Sequence, residues 1–121
     1  MKPPACHDGH MAEESEQRVA GNEALFREVN EAIERGLWPG EEHSAVRFRC
    51  ECAQLDCSRI VELALRDYER VRARPSRFVM IPGHQLPEFE TVIEDRTGYV
   101  VVEKRGGAAE IAKRLDPREE D

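Results

Sequence analysis

Apolar and polar residues change rhythm several times along this chain, and each change marks an expected element. From residue 13 to about residue 35 the residues are helix formers. Val19, Leu25, Phe26, Val29, Ala32 and Ile33 fall largely at three- and four-residue spacings, so one apolar stripe is expected to face the core. Acidic residues crowd the first turn, where they suit the helix dipole, and Gly36 stands where a C-cap is expected. Leu37-Trp38-Pro39-Gly40 then reads as a turn, with Trp38 packed over the helix.

Beyond that turn the period drops to two. Val46, Phe48, Cys50 and Cys52 alternate with Arg47, Arg49, Glu51 and Ala53, the pattern of a half-buried strand. Val61, Leu63 and Leu65 repeat it, which predicts a second strand to about Leu65 and a helix from Arg66 to Arg74, ended by Pro75. Phe78-Val79-Met80-Ile81 is a short apolar strand closed by Pro82-Gly83. Residues 91–94 and 99–103 flank the polar connector Asp95-Arg96-Thr97-Gly98 and read as a hairpin. Gly106-Gly107 breaks the last strand, and Ala108, Ile111, Ala112 and Leu115 sit at helical spacing. The sum is an α+β fold: a small, mostly antiparallel sheet with N-terminal, middle and C-terminal helices.

The chain has 121 residues, 40% hydrophobic and 36% charged, enough for one modest core. The expected organisation is a loose tail over residues 1–12, a single domain over residues 13–116 and an acidic tail over residues 117–121. Gly9-His10-Met11 also reads as a cloning scar or an internal start. The longest unbroken apolar runs, at residues 78–81 and 99–102, hold four residues, against the roughly 18–20 a membrane span requires. Net charge of −7 disfavours nucleic acid and anionic lipid and leaves a protein partner compatible. No export signal is read at the start, so a reducing cytoplasm is expected, where thiols bind metal more often than they form disulfides.

The candidate chemistry lies in Cys50-Glu51-Cys52, Cys57 and, further on, His84. On an extended chain Cys50 and Cys52 point the same way, and the loop to Cys57 is long enough to bring a third thiol back. Zinc favours four nitrogen or sulfur ligands in a tetrahedron, so three cysteines need one more donor. His84 is the candidate, because Pro82-Gly83 favours a type II turn that fixes its direction; His43, Asp56 or water are substitutes. Plain core cysteines are the competing reading for Cys50 and Cys52, which share a face with Val46 and Phe48. Cys57, set among Gln54, Asp56, Ser58 and Arg59, fits no apolar pattern and tilts the choice to metal. Arg47, Arg49 and Arg59 are near enough in sequence to offset the thiolates.

Asn22-Glu-Ala-Leu-Phe-Arg-Glu-Val-Asn30, Cys50, Cys52, Cys57, Tyr68-Glu69-Arg70-Val71-Arg72 and Pro82-Gly83-His84 together give the chain a further likeness. It resembles a family of small actinobacterial proteins that carry a C-x-C-x4-C pattern followed by P-G-H. The resemblance covers about residues 18–117 and implies no particular activity.

The reading that follows is a zinc-binding module with a structural Zn²⁺ on Cys50, Cys52, Cys57 and His84, in a binding or regulatory role rather than an enzymatic one. One alternative is a redox switch that releases metal when these thiols oxidise. Another is a metal-dependent hydrolase with water as fourth ligand and Glu51 or Asp56 as base. Other features carry less. Arg66, Arg70, Arg72, Arg74 and Arg77 read as a solvated face paired with acidic neighbours. Cys6, His7 and His10 belong to the expected tail, and Gly106-Gly107 lacks the lysine and spacing of a phosphate loop.

Overall fold

A computed structural model of the chain describes residues 8–37 and 42–118, with side chains from Ser15 onward. The elements are α1 (Asp8–Leu37), β1 (Ala45–Arg49), β2 (Ile60–Ala64), α2 (Leu65–Arg72), β3 (Arg77–Met80), β4 (Glu90–Arg96), β5 (Tyr99–Lys104) and α3 (Gly106–Arg114). This is the expected α+β arrangement, with helices at its start, middle and end. The strands, however, divide into two antiparallel sheets, β1-β2 and β3-β5-β4, rather than one.

β5 is the central strand of the larger sheet and is covered on both faces. Val100 and Val102 pack with Phe78, Met80 and the cysteines, while Tyr99 and Val101 pack with Phe48, Tyr68 and Val79. Double coverage explains why residues 99–102 show no polar alternation. In β4 the register passes from Val92 opposite Val102 to Glu94 opposite Val101, which leaves Ile93 as a bulge. Asp95 and Arg96, expected in the connector, pair with Val100 and Tyr99, so the turn shortens to Thr97-Gly98. Gly98, at φ +88°, supplies the left-handed corner that this turn requires.

α1 departs most from expectation. Phe26 is buried and Ile33 packs on the core, but Leu25 is 52% and Val29 41% exposed. The face turned inward carries Ala20, Glu23, Ala24, Arg27, Asn30, Glu31 and Glu34. Each charged residue there meets a partner from a distant part of the chain. The Glu23 carboxylate pairs with Lys104, which also reaches Glu90 Oε2 at 2.7 Å. Burial and the neighbouring Glu90 carboxyl push the pKa of Glu23 well up. Arg27 donates to the carbonyls of Pro75 and Ala112 at 2.6 and 3.0 Å, with its guanidinium 4.4 Å from the Phe78 ring centroid. Arg72 donates to Glu31 at 2.5 Å and pairs with Asp116. Hydropathy alone does not record such partners, so the apolar stripe misassigns the inward face.

The chain ends also differ from the expected tails. α1 begins at Asp8, so the backbone of residues 8–12 is helical. Cys6, His7 and the Trp38 turn lie outside the described residues. Arg118, expected in a frayed acidic tail, donates to Glu31 at 2.9 Å and to Glu69 at 2.5 Å, which ties the segment after α3 back to α1 and α2. No helix among the described residues is long and apolar enough to cross a membrane.

Candidate metal centre

β1 stops at Arg49, so Cys50 and Cys52 lie just beyond the strand expected to carry them. The cause is a change of hydrogen-bonding partner. The Cys50 N–H still donates to Arg59 O at 3.0 Å, one rung past the β1–β2 ladder, but the Glu51 N–H donates to Val79 O of β3 at 2.8 Å. The chain therefore leaves one sheet and lies along the edge of the other. Side chains still alternate: both thiols join the Phe78, Met80 and Val100 cluster, while the Glu51 carboxylate reaches Asn30 and Tyr68. A turn then brings Cys57 back, its N–H donating to Gln54 O at 3.0 Å.

His84 arrives from the far end of β3. Its N–H donates to Ile81 O at 3.0 Å, and Gly83 has φ +96°, the type II geometry expected of Pro82-Gly83. The ligand atoms of Cys50, Cys52, Cys57 and His84 all lie within 4.8 Å of one another. His84 Nδ1 is 3.5 Å from Cys50 Sγ and 3.8 Å from Cys57 Sγ. A tetrahedral zinc with three sulfurs and one nitrogen separates its donors by about 3.5–3.8 Å, so these spacings suit a metal of that size. All three thiols are free, which excludes a disulfide among them. His43 and Asp56 are exposed and stand outside the group.

A hydrogen bond between Cys50 and Cys52 shifts the two thiols in opposite directions. Hydrogen bonding from Cys50, supported by the Gln54 backbone, His84 and Cys57, pulls Cys52 down to about 5 against the opposing effect of burial. The same hydrogen bond, with burial, pushes Cys50 up. The pair thus holds one proton tightly, and a metal would take that proton's place between the sulfurs. The Ile81 N–H also donates to Cys50 Sγ at 3.2 Å.

The side chains that hold the ligand loop escaped sequence reasoning. Asn30 Nδ2 donates to Arg49 O at 2.9 Å and to Glu51 Oε2 at 2.8 Å, and Asn30 Oδ1 accepts from the Arg49 N–H at 2.8 Å. Asn22 donates to Ala53 O at 2.8 Å. Glu51 is fully buried and accepts from the Tyr68 hydroxyl at 2.7 Å and the Val79 N–H at 3.0 Å. Burial lifts its pKa against the stabilising effect of these donors. That engagement removes Glu51 from the general-base role considered for it. Arg49 donates to Cys57 O at 2.6 Å while its guanidinium lies 4.4 Å from the Phe26 ring centroid. Of the three arginines expected to offset the thiolates, Arg49 is the one bonded to the loop; Arg47 pairs with Glu62 at 3.9 Å on the surface. Asparagine disfavours helix interiors, so two of them in one helical segment were the available signal.

Beside Cys57 and His84 opens a groove of about 400 Å³, lined also by Gln54, Ser58, Arg59 and Gln85. In the arginine-rich segment Arg66 pairs with Glu42 at 3.9 Å, Arg70 with Glu94 at 2.8 Å and Arg77 with Glu103 at 3.2 Å, as expected, whereas Arg72, expected on the same solvated face, is buried with Glu31 and Asp116. Compared with known proteins, the chain matches no family profile, and neither a curated protein nor a solved structure is similar to it.

Proposed function

We propose that Cys50, Cys52, Cys57 and His84 hold a structural zinc ion in a small cytoplasmic binding or regulatory module, and that the chain belongs with the small actinobacterial proteins that carry the same C-x-C-x4-C and P-G-H pattern. The observation that carries the reading is the convergence of four donor atoms within 4.8 Å from two separate stretches of chain. Sulfur and imidazole donors at tetrahedral spacing suit zinc better than the oxygen-seeking magnesium or calcium. Four protein donors complete a tetrahedron, and the nearest buried carboxylate is committed to other donors, so the reading is structural rather than hydrolytic.

A metal here would add a link between parts that Glu51 and Cys50 already join through their bonds to Val79 and Ile81. Cys50, Cys52 and Cys57 belong to the connection between β1 and β2, whereas His84 follows β3 of the other sheet. Three thiolates and a neutral imidazole around Zn²⁺ leave a local charge of about −1, with the Arg49 guanidinium bonded to the loop. The test is elemental analysis with thiol titration on reduced protein, before and after chelation, for wild type and His84→Ala. About one equivalent of zinc in wild type, reduced in the variant, supports the reading. Far less than one equivalent in freshly reduced wild type contradicts it.

A further inference from the structure

The four ligands are unequally sheltered. Cys50 and Cys52 are 1% and 0% exposed, enclosed by Phe78, Met80, Val100 and Val102. Cys57, at 9%, lies at the rim of the cluster and is the only one of the three thiols that lines the groove beside the site. That groove has polar walls, with Gln54, Ser58, Arg59 and Gln85 around it, and space for a small solute. Across the loop bearing Cys57, Asn22 donates to Ala53 O, Arg49 donates to Cys57 O, and the Cys57 N–H closes back on Gln54 O. The middle of the loop projects outward, with Leu55 exposed.

Resting on the zinc reading above, we propose that Cys57 is an oxidation site for hydroperoxides, entered through this groove, and that its oxidation releases the metal. The Cys57 sulfur attacks one peroxide oxygen. A sulfur–oxygen bond forms, the oxygen–oxygen bond breaks, and the departing hydroxide takes a proton to become water. One of the two enclosed thiolates, Cys50 or Cys52, then attacks the Cys57 sulfur. The sulfur–sulfur bond forms as the sulfur–oxygen bond breaks, and the hydroxide released takes a second proton from solvent to leave as water. Two thiolates lose two electrons in all, and one hydroperoxide is reduced to two waters, or to a water and an alcohol. Donors all within 4.8 Å of one another leave only a short movement for this second step. One sulfur and His84 then remain, too few to retain zinc.

The release has a structural consequence written into the same loop. The backbone and carboxylate of Glu51 bond Val79, and Cys50 Sγ accepts from Ile81, so this segment covers the outer edge of β3. Loss of the zinc link to His84 leaves this cover to the bonds of Glu51 with Asn30, Tyr68 and Val79.

The test uses the full-length, zinc-loaded, reduced protein titrated with hydrogen peroxide. Zinc release is followed with a chromogenic chelator, sulfenic acid is trapped with dimedone, and cross-links are mapped by mass spectrometry. The expected result is about one zinc released per peroxide consumed, dimedone on Cys57 roughly tenfold above Cys50 or Cys52, and Cys57 in every cross-link. Zinc that stays bound after peroxide, or first modification at Cys50 or Cys52, overturns this proposal and leaves the structural site standing. Protein that carries no zinc at the outset overturns the reading beneath it instead.

Discussion

Two polar regions meet along α1, and they neutralise charge in opposite ways. At the ligand loop, Asn22 and Asn30 use neutral amides to hold backbone and Glu51, while the clustered sulfurs beyond them call for a cation from outside the chain. At the other region, Glu23, Glu31 and Glu34 face Lys104, Arg72 and Arg118, so the chain supplies its own countercharges. On the zinc reading proposed above, the first region is conditional on a ligand and the second is not. A stability measurement with and without chelator therefore separates them.

The largest effect is expected from stripping the metal. Structural zinc in small peptides contributes roughly 10–16 kcal/mol, comparable to the stability of a whole domain. Chelation under reducing conditions should abolish hydrogen-exchange protection first across residues 49–59 and 81–84, with residues 65–72 and 99–104 protected longer. Uniform protection before and after chelation would break the distinction between the two regions.

Next comes Arg72→Met, which strips the buried carboxylates of Glu31 and Asp116 of their shared arginine. Unpairing a buried ion pair costs about 3–5 kcal/mol. Denaturant titration should show that loss equally in metal-loaded and metal-free protein, because this region does not depend on the metal.

Asn30→Ala probes the opposite dependence. It leaves the Arg49 backbone and one Glu51 oxygen short of a partner, a loss of about 1–3 kcal/mol. Because Arg49 and Glu51 flank Cys50, zinc affinity should also fall by roughly 10- to 100-fold, as for other groups that orient ligands. Competition with a calibrated chelator reads this directly, and unchanged affinity would mean the amide does not position the loop.

The smallest effect concerns pH. Burial, then the Glu69 carboxyl nearby, raises Glu34 to about 7. The folded chain holds that proton more tightly than the unfolded chain does. Its contribution is present below the ordinary carboxylate value and is lost as pH rises through 7. Glu34→Gln should therefore match wild type in thermal midpoint near pH 5 and exceed it near pH 8.5. Equal midpoints at both pH values would remove Glu34 from the network.

The contrast also explains what the sequence made legible. Period-two alternation located β1, β2 and the shared orientation of Cys50 and Cys52, because a strand's side-chain geometry is local. Pro82-Gly83 foretold the turn that aims His84 for the same reason. The face of α1 was not legible, because burying Glu23, Arg27 and Glu31 depends on Lys104, Pro75 and Arg72, which are distant in sequence. The division into two sheets and the halt of β1 at Arg49 were hidden likewise, since both depend on Glu51 choosing Val79 as its partner. Asp95 and Arg96 read as loop because they are polar, yet they pair with β5 in an outer strand whose side chains meet solvent.

X-ray absorption at the zinc edge of reduced, freshly purified protein reads the four donors themselves. The expected shell is a four-coordinate metal with three sulfurs near 2.3 Å and one nitrogen near 2.0–2.1 Å, the nitrogen contribution disappearing in His84→Ala. A sulfur-poor shell of oxygen donors, or an unchanged spectrum in that variant, would contradict the proposed site.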